Sequence, residues 1–177
     1  MARTNTVNKA AKDVGNCLVC RKELKKGDAY KWFKPYRSRK RVACTTCHFK
    51  NSHTCTSKWV TIYEAMEQLE DVANEFDYRT DISEVEDAVQ ELTDACEEVE
   101  SEYREAAEAW GDAGAEMEEK ADNVGDWDTD VDFDEKPHEL DDDDEPKNDE
   151  ERDALEVWVC DVQSAVEDML GNCPGEM

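Results

Sequence analysis

The sequence predicts a mainly α-helical protein with a small β module at its head. Three observations carry that expectation. Two Cys-x-x-Cys pairs, Cys17/Cys20 and Cys44/Cys47, bracket a stretch rich in aromatic, β-branched and basic residues. From about residue 56 onward, apolar residues recur at steps of three and four, as on one face of a helix. Charge also divides the chain: residues 1–60 hold 15 Lys and Arg against 3 Asp and Glu, a balance of +12, and the rest carries −38, giving the net −26. The head is thus built to seek anions and the remainder to repel them.

Each element follows from local chemistry. Residues 1–15 are polar, basic and short of apolar side chains, the composition of a mobile arm. Residues 16–55 form the cysteine-bearing module. Within it, Ala29–Lys34 (AYKWFK) and Arg39–Cys44 (RKRVAC) read as two strands, with Pro35–Ser38 as the turn of a β-hairpin. Leu24 and the turn at Lys26-Gly27-Asp28 bring the chain from the first cysteine pair into that hairpin.

Residues 56–121 read as two acidic amphipathic helices. Trp59, Ile62, Met66, Leu69, Ala73 and Phe76 line the first. Asp81 or Ser83 caps the second, along which Val85, Leu92, Val99, Ala106 and Ala113 repeat every seven residues. Val89, Cys96, Tyr103, Trp110 and Met117 do the same, four residues later. Two interleaved seven-residue series make a coiled-coil seam, which Gly111 and Gly114 weaken at its end. Residues 122–148 are dominated by Asp, with Pro137 and Pro146 as breakers, and are expected to form a disordered acidic linker. Residues 149–171 form a third helix with Leu155, Val159, Val162, Val166 and Met169 on one face, followed by a tail over 172–177.

The fold class is therefore a zinc-ribbon-like β-hairpin followed by an antiparallel coiled-coil or three-helix unit. Cys17, Cys20, Cys44 and Cys47 suit one tetrahedral Zn²⁺, because each short loop delivers two thiolates and the 23 residues between the pairs fit a returning hairpin. The alternative is a set of reduced cysteines in a small core, or one redox pair, but the βαβ setting of a thioredoxin-like site is missing. His48, His53 and Cys55 stand near enough in sequence to replace one ligand, although the spacing favours the four cysteines. Cys96 falls on the seam as a core residue, and Cys160 and Cys173 read as free thiols. Four protein ligands leave a zinc ion no position for a catalytic water, so its role is structural.

Lys31, Lys34, Arg37, Arg39, Lys40 and Arg41 lie on the presumed hairpin among Tyr30, Trp32, Phe33 and Tyr36. That mixture suits DNA or RNA, because cations neutralise phosphates and rings stack on bases. Against it stand two plainer uses: the aromatics as core of the module, and the basic head resting on the acidic remainder. The expected function is a non-enzymatic nucleic-acid-binding accessory protein whose helices serve interaction or dimerisation. The alternative is a protein-interaction module or DNA-mimic inhibitor, its acidic helices engaging a basic host protein. No Ser/His/Asp set, phosphate loop or open metal site marks an enzyme. The Asp-x-Asp run lacks the glycine and glutamate of a calcium loop. No apolar run is long enough to cross a membrane, and the start Met1-Ala-Arg-Thr-Asn-Thr-Val lacks the apolar stretch of a secretory signal, so the expected setting is cytoplasmic.

The opening Met1-Ala-Arg-Thr-Asn-Thr-Val-Asn-Lys-Ala-Ala-Lys-Asp, Cys17-x-x-Cys20, Leu24-Lys-Lys-Gly27-Asp28, Tyr30-Lys-Trp32-Phe33-Lys, the second cysteine pair and Thr54-Cys-Thr-Ser-Lys-Trp59 carry a resemblance. Together they resemble a group of small tailed-phage proteins, some described as carrying a PARP-type zinc finger. The resemblance covers roughly the first 75 residues in specific motifs, and the later helices only in character. It implies a zinc-binding phage accessory protein that contacts DNA in the host cytoplasm. The PARP-type finger proper has histidine as its third ligand, where this chain has Cys44. What carries over is zinc binding at Cys17, Cys20, Cys44 and Cys47, not DNA-break recognition or catalysis.

Overall fold

A computed structural model describes residues 4–34, 39–137 and 145–175. The chain divides into two compact units, Met1–Val60 and Thr61–Met177. The first is a small β module: β1 (Asn5–Val7), β2 (Gly15–Asn16), β3 (Glu23–Leu24), β4 (Tyr30–Phe33) and β5 (Arg41–Cys44), then a short helix α1 (Asn51–Thr54). The second is helical: α2 (Val60–Glu75), α3 (Ser83–Trp110), α4 (Ala115–Gly125) and α5 (Asp149–Gly171). Among the described residues, no helix is long and apolar enough to cross a membrane.

In the first unit β4 and β5 pair antiparallel, Tyr30 opposite Cys44 and Phe33 opposite Arg41. The turn expected at Pro35–Ser38 lies outside the described residues. Residues 4–15 differ from the expected arm. β1 pairs antiparallel with β4, completing a three-stranded sheet in the order β1-β4-β5. Ala10 is buried, donating its N–H to the Asp28 carbonyl (2.8 Å) and accepting from Gly27 N–H (2.9 Å). An edge strand is held through its backbone and needs little apolar pattern, so its composition did not disclose it. β2 and β3 form a second, two-stranded ribbon, and Gly27 takes the positive φ of 100° in the turn that leads to β4.

Helix α2 starts at Val60 rather than near Thr56, because Ser57 accepts hydrogen bonds from Trp59 N–H (3.2 Å) and Val60 N–H (3.3 Å) in a preceding turn. Asp81 accepts from Ser83 N–H (3.0 Å) at the start of α3, and this bond to the backbone amide lowers the Asp81 pKa. Along α3, Val85, Val89, Leu92, Cys96, Val99 and Tyr103 are all buried. This buried line then stops. Gly111 takes φ 55° and α4 folds back against α3, so Ala113 and Met117 do not continue the line of α3. The return is close: a Cβ on Gly114 would lie 2.3 Å from the Ala107 carbonyl oxygen. Here the glycines break a helix that the heptad spacing alone would have continued.

The acidic segment after α4 also differs from a disordered linker. Helix α4 extends to Gly125, and from Asp126 to Asp134 the chain alternates. Trp127 and Thr129 are buried and Val131 and Phe133 half-buried, whereas the intervening aspartates are exposed. The Trp127 indole N–H donates to the Met169 carbonyl (3.3 Å), Trp158 donates to the Asp134 carbonyl (2.8 Å), and the Thr93 and Thr129 hydroxyls meet at 3.0 Å. Residues 126–134 thus form a strap across α3 and α5. Asp141–Asp144 lie outside the described residues. Asn148 caps α5 by accepting from Glu151 N–H (2.8 Å), and Gln163 donates to the Ala73 (2.9 Å) and Phe76 (3.3 Å) carbonyls at the end of α2. The Phe76 and Trp158 rings meet edge-on at 5.3 Å.

Two outcomes test this packing. Gly114→Ala lowers the thermal midpoint, whereas Gly171→Ala, with open space around its Cβ at a helical position, leaves it unchanged or raises it slightly. Trp127→Ala costs about 3 kcal/mol in denaturant unfolding of the helical unit, the loss of a buried aromatic; a free linker would show no change.

Candidate metal centre

The first cysteine pair sits in a tight loop between β2 and β3. Cys17 N–H donates to the Lys22 carbonyl (2.7 Å) and Arg21 N–H to the Cys17 carbonyl (3.0 Å). Arg21 reverses the chain at φ 61°, the left-handed region that a residue with a Cβ enters at a cost of about 1 kcal/mol. This local strain sits one residue after a candidate ligand. The second pair begins at the last residue of β5, Cys44, and the turn Thr45-Thr46 returns Cys47 to the same place. Leu18 N–H bonds the Val42 carbonyl (2.9 Å) and Cys44 N–H donates to Cys17 Sγ (3.3 Å), joining the two loops.

The sulfur atoms of Cys17, Cys20, Cys44 and Cys47 all lie within 4.8 Å of one another, with Cys20 and Cys44 Sγ at 3.7 Å. This arrangement is consistent with a metal site. Cys17 and Cys44 are buried, Cys47 is half-buried and Cys20 is exposed, which leaves a path from solvent. The Thr46 hydroxyl lies 3.1 Å from Cys44 Sγ. That contact, followed by the one with Cys47, pulls the Cys44 pKa down to about 6. Hydrogen bonding to Cys44, then to Cys20, pushes Cys47 up to about 12. Burial raises the Cys17 pKa, but backbone amides at Cys20, Cys44 and Val19 outweigh it and the net direction is down. A soft cation that displaces the thiol protons meets four sulfur donors already gathered in place.

His48, His53 and Cys55 lie outside the cluster. His53 Nδ1 accepts from Lys50 N–H (3.2 Å), and Cys55 Sγ is 3.1 Å from the Ser57 hydroxyl. Cys96 is buried in the helical unit, and that burial pushes its thiol up to about 12. Thr46 and Arg21 were not singled out in the sequence, although a hydroxyl inside the Cys-Thr-Thr-Cys loop was a signal for the first.

The basic candidates divide. Lys34 and Arg39 are exposed. The Lys31 ammonium donates to the Cys47 carbonyl (3.1 Å), and the Arg41 guanidinium donates to the His53 carbonyl. Lys40 donates to the Tyr30 hydroxyl (3.1 Å) and stands 4.8 Å and 4.4 Å from the centroids of the Tyr30 and Trp32 rings. Arg37 lies outside the described residues. Tyr30 and Phe33 are buried, so the described aromatics of the hairpin are engaged in packing and, for Tyr30 and Trp32, with Lys40.

No protein-family model matches the chain, and neither a curated protein nor a solved structure does.

Removing metal with a chelator should abolish amide protection in the β module while the helical unit keeps its far-ultraviolet circular dichroism; simultaneous loss of both would contradict a locally acting site. Arg21→Gly preserves metal binding, whereas Arg21→Val, β-branched at a positive φ, weakens it measurably in a competition titration.

Proposed function

We propose that Cys17, Cys20, Cys44 and Cys47 hold one structural zinc ion, forming a zinc-ribbon-like module that binds nucleic acid through its basic face. One observation carries the metal: four sulfurs within 4.8 Å of one another. Zinc–thiolate bonds of about 2.3 Å in a tetrahedron set neighbouring sulfurs about 3.8 Å apart, and Cys20 and Cys44 stand at 3.7 Å. Four soft thiolates favour zinc over calcium or magnesium. The closed ligand set makes the ion a fold-holding element, and the protein acts without catalysis.

Nucleic-acid binding rests on the +12 balance of residues 1–60. Of the hairpin cations, Lys34, Arg39 and Lys40 are exposed, and Lys40 stands over Trp32. Phosphate contact falls on these three, while Lys31 and Arg41 hold the module's own carbonyls. With the rings engaged, affinity comes from phosphates and carries little base preference. The acidic outer faces of the long helices serve interaction with a partner, since the apolar line of α3 is already buried within the chain. A place among accessory proteins of tailed phages, acting in the host cytoplasm, agrees with the motifs of the first 75 residues.

The test is binding of the full, zinc-loaded chain to random-sequence DNA and RNA oligonucleotides between about 50 and 200 mM salt. Affinity should fall steeply with salt, and Lys34→Ala with Arg39→Ala should reduce the slope of log K against log salt by about 2. Absent or salt-independent binding would remove this reading and leave the module a scaffold.

A further inference from the structure

We propose that the tip joining α3 to α4 is a docking surface for an arginine-bearing segment of a basic protein, with Trp110 as its anchor. Among the described residues, Trp110 and Val157 are the large apolar side chains left exposed, and Trp110 is 62% exposed. Trp59, Trp127 and Trp158 are buried, so the exposure of Trp110 is particular to its position. It is the last residue of α3, where the left-handed Gly111 ends the seam before a partner helix can cover it. The positions three and four residues before it are Ala107 and Ala106, so no long side chain stands beside the ring on its own helix. The tip is held firmly: Gly114 brings α4 against the Ala107 carbonyl, and Arg104 joins Glu100 (2.8 Å) to Asp122 (3.2 Å) across the two helices.

Charge states what the ring meets. Residues 105–119 hold six carboxylates and no cation. Glu105, Glu108, Asp112, Glu116 and Glu118 are exposed before, within and after the turn. The two flanking cations are committed, Arg104 as above and Lys120 to Glu116 (2.9 Å). Such a surface repels nucleic acid and repels a second copy of the same acidic tip. A guanidinium answers both of its features, lying flat on an indole while its N–H groups reach carboxylates. Arginine is therefore the expected anchor on the partner, ahead of lysine. This surface belongs to the helical unit, and the proposal stands whether or not the cysteine module binds nucleic acid.

The experiment uses the full chain and a synthetic peptide of alternating arginine and serine, with the lysine counterpart for comparison. Isothermal titration should show the arginine peptide binding more tightly than the lysine peptide, and the Trp110 indole N–H resonance should shift on addition. Trp110→Ala, which removes an exposed side chain and no charge, should weaken the arginine peptide about fivefold. Glu108→Gln with Asp112→Asn should weaken it more than Glu84→Gln with Glu86→Gln, which removes equal charge from the opposite end of α3. Equal binding by Trp110→Ala, or an unmoved indole resonance, would reduce the effect to diffuse charge and overturn the proposal. A dimer of the wild-type chain in sedimentation that Trp110→Ala abolishes would also overturn it, by making a second copy the occupant.

Discussion

Four sulfurs within 4.8 Å of one another are placed to hold together, through a metal ion, a module with a small core. Its buried core is Ala10, Cys17, Leu24, Tyr30, Ala43 and Cys44, so two of its six members are themselves candidate ligands. Its strands are two to four residues long. Units of this size bury too little apolar surface to offset chain entropy and generally need a staple. The sulfur cluster is placed to be that staple: Cys17 and Cys20 belong to the loop of the β2–β3 ribbon, whereas Cys44 ends β5 and Cys47 follows it. A bound ion would close one sheet on the other. The presentation of Lys34, Arg39 and Lys40 depends on the same closure, because those residues flank or face the hairpin that ends at Cys44.

The helical unit solves a different problem. Residues 61–177 carry 44 acidic side chains against 6 basic ones, so repulsion acts on every helix. Apolar contact along α3 outweighs it as far as Tyr103, and the chain then stops extending and turns back at Gly111. The strap from Asp126 to Asp134 covers part of what α2 and α5 leave open. Its alternation buries Trp127 and Thr129 while each aspartate between faces water, so the acidity costs little there.

Much of this was legible in the residues, and the exceptions have physical reasons. The paired Cys-x-x-Cys spacing points to a shared site because short loops can deliver two sulfurs each, and the hairpin between the pairs follows from its β-branched and aromatic residues. The buried line from Val85 to Tyr103 shows in the seven-residue repeat. The end of that line does not, since a glycine in a helix costs only about 1 kcal/mol and the closeness of Gly114 to Ala107 exists only in three dimensions. The strap was masked by composition: the aspartates drew attention from the period-two series Trp127, Thr129, Val131 and Phe133. β1 was masked because an edge strand pairs through its backbone. That Lys40 lies over Trp32 depends on the hairpin register, which places Trp32 opposite Val42.

The measurement that bears most directly on the central claim is the metal content of the purified full chain beside that of Cys44→Ser. Elemental analysis with native mass spectrometry gives both stoichiometry and thiol state. The account predicts one zinc per wild-type chain, with the four thiols of the module shielded from alkylation, and loss of the ion in the variant. A wild-type chain without metal, or a Cys44→Ser variant that retains zinc undiminished, would contradict it.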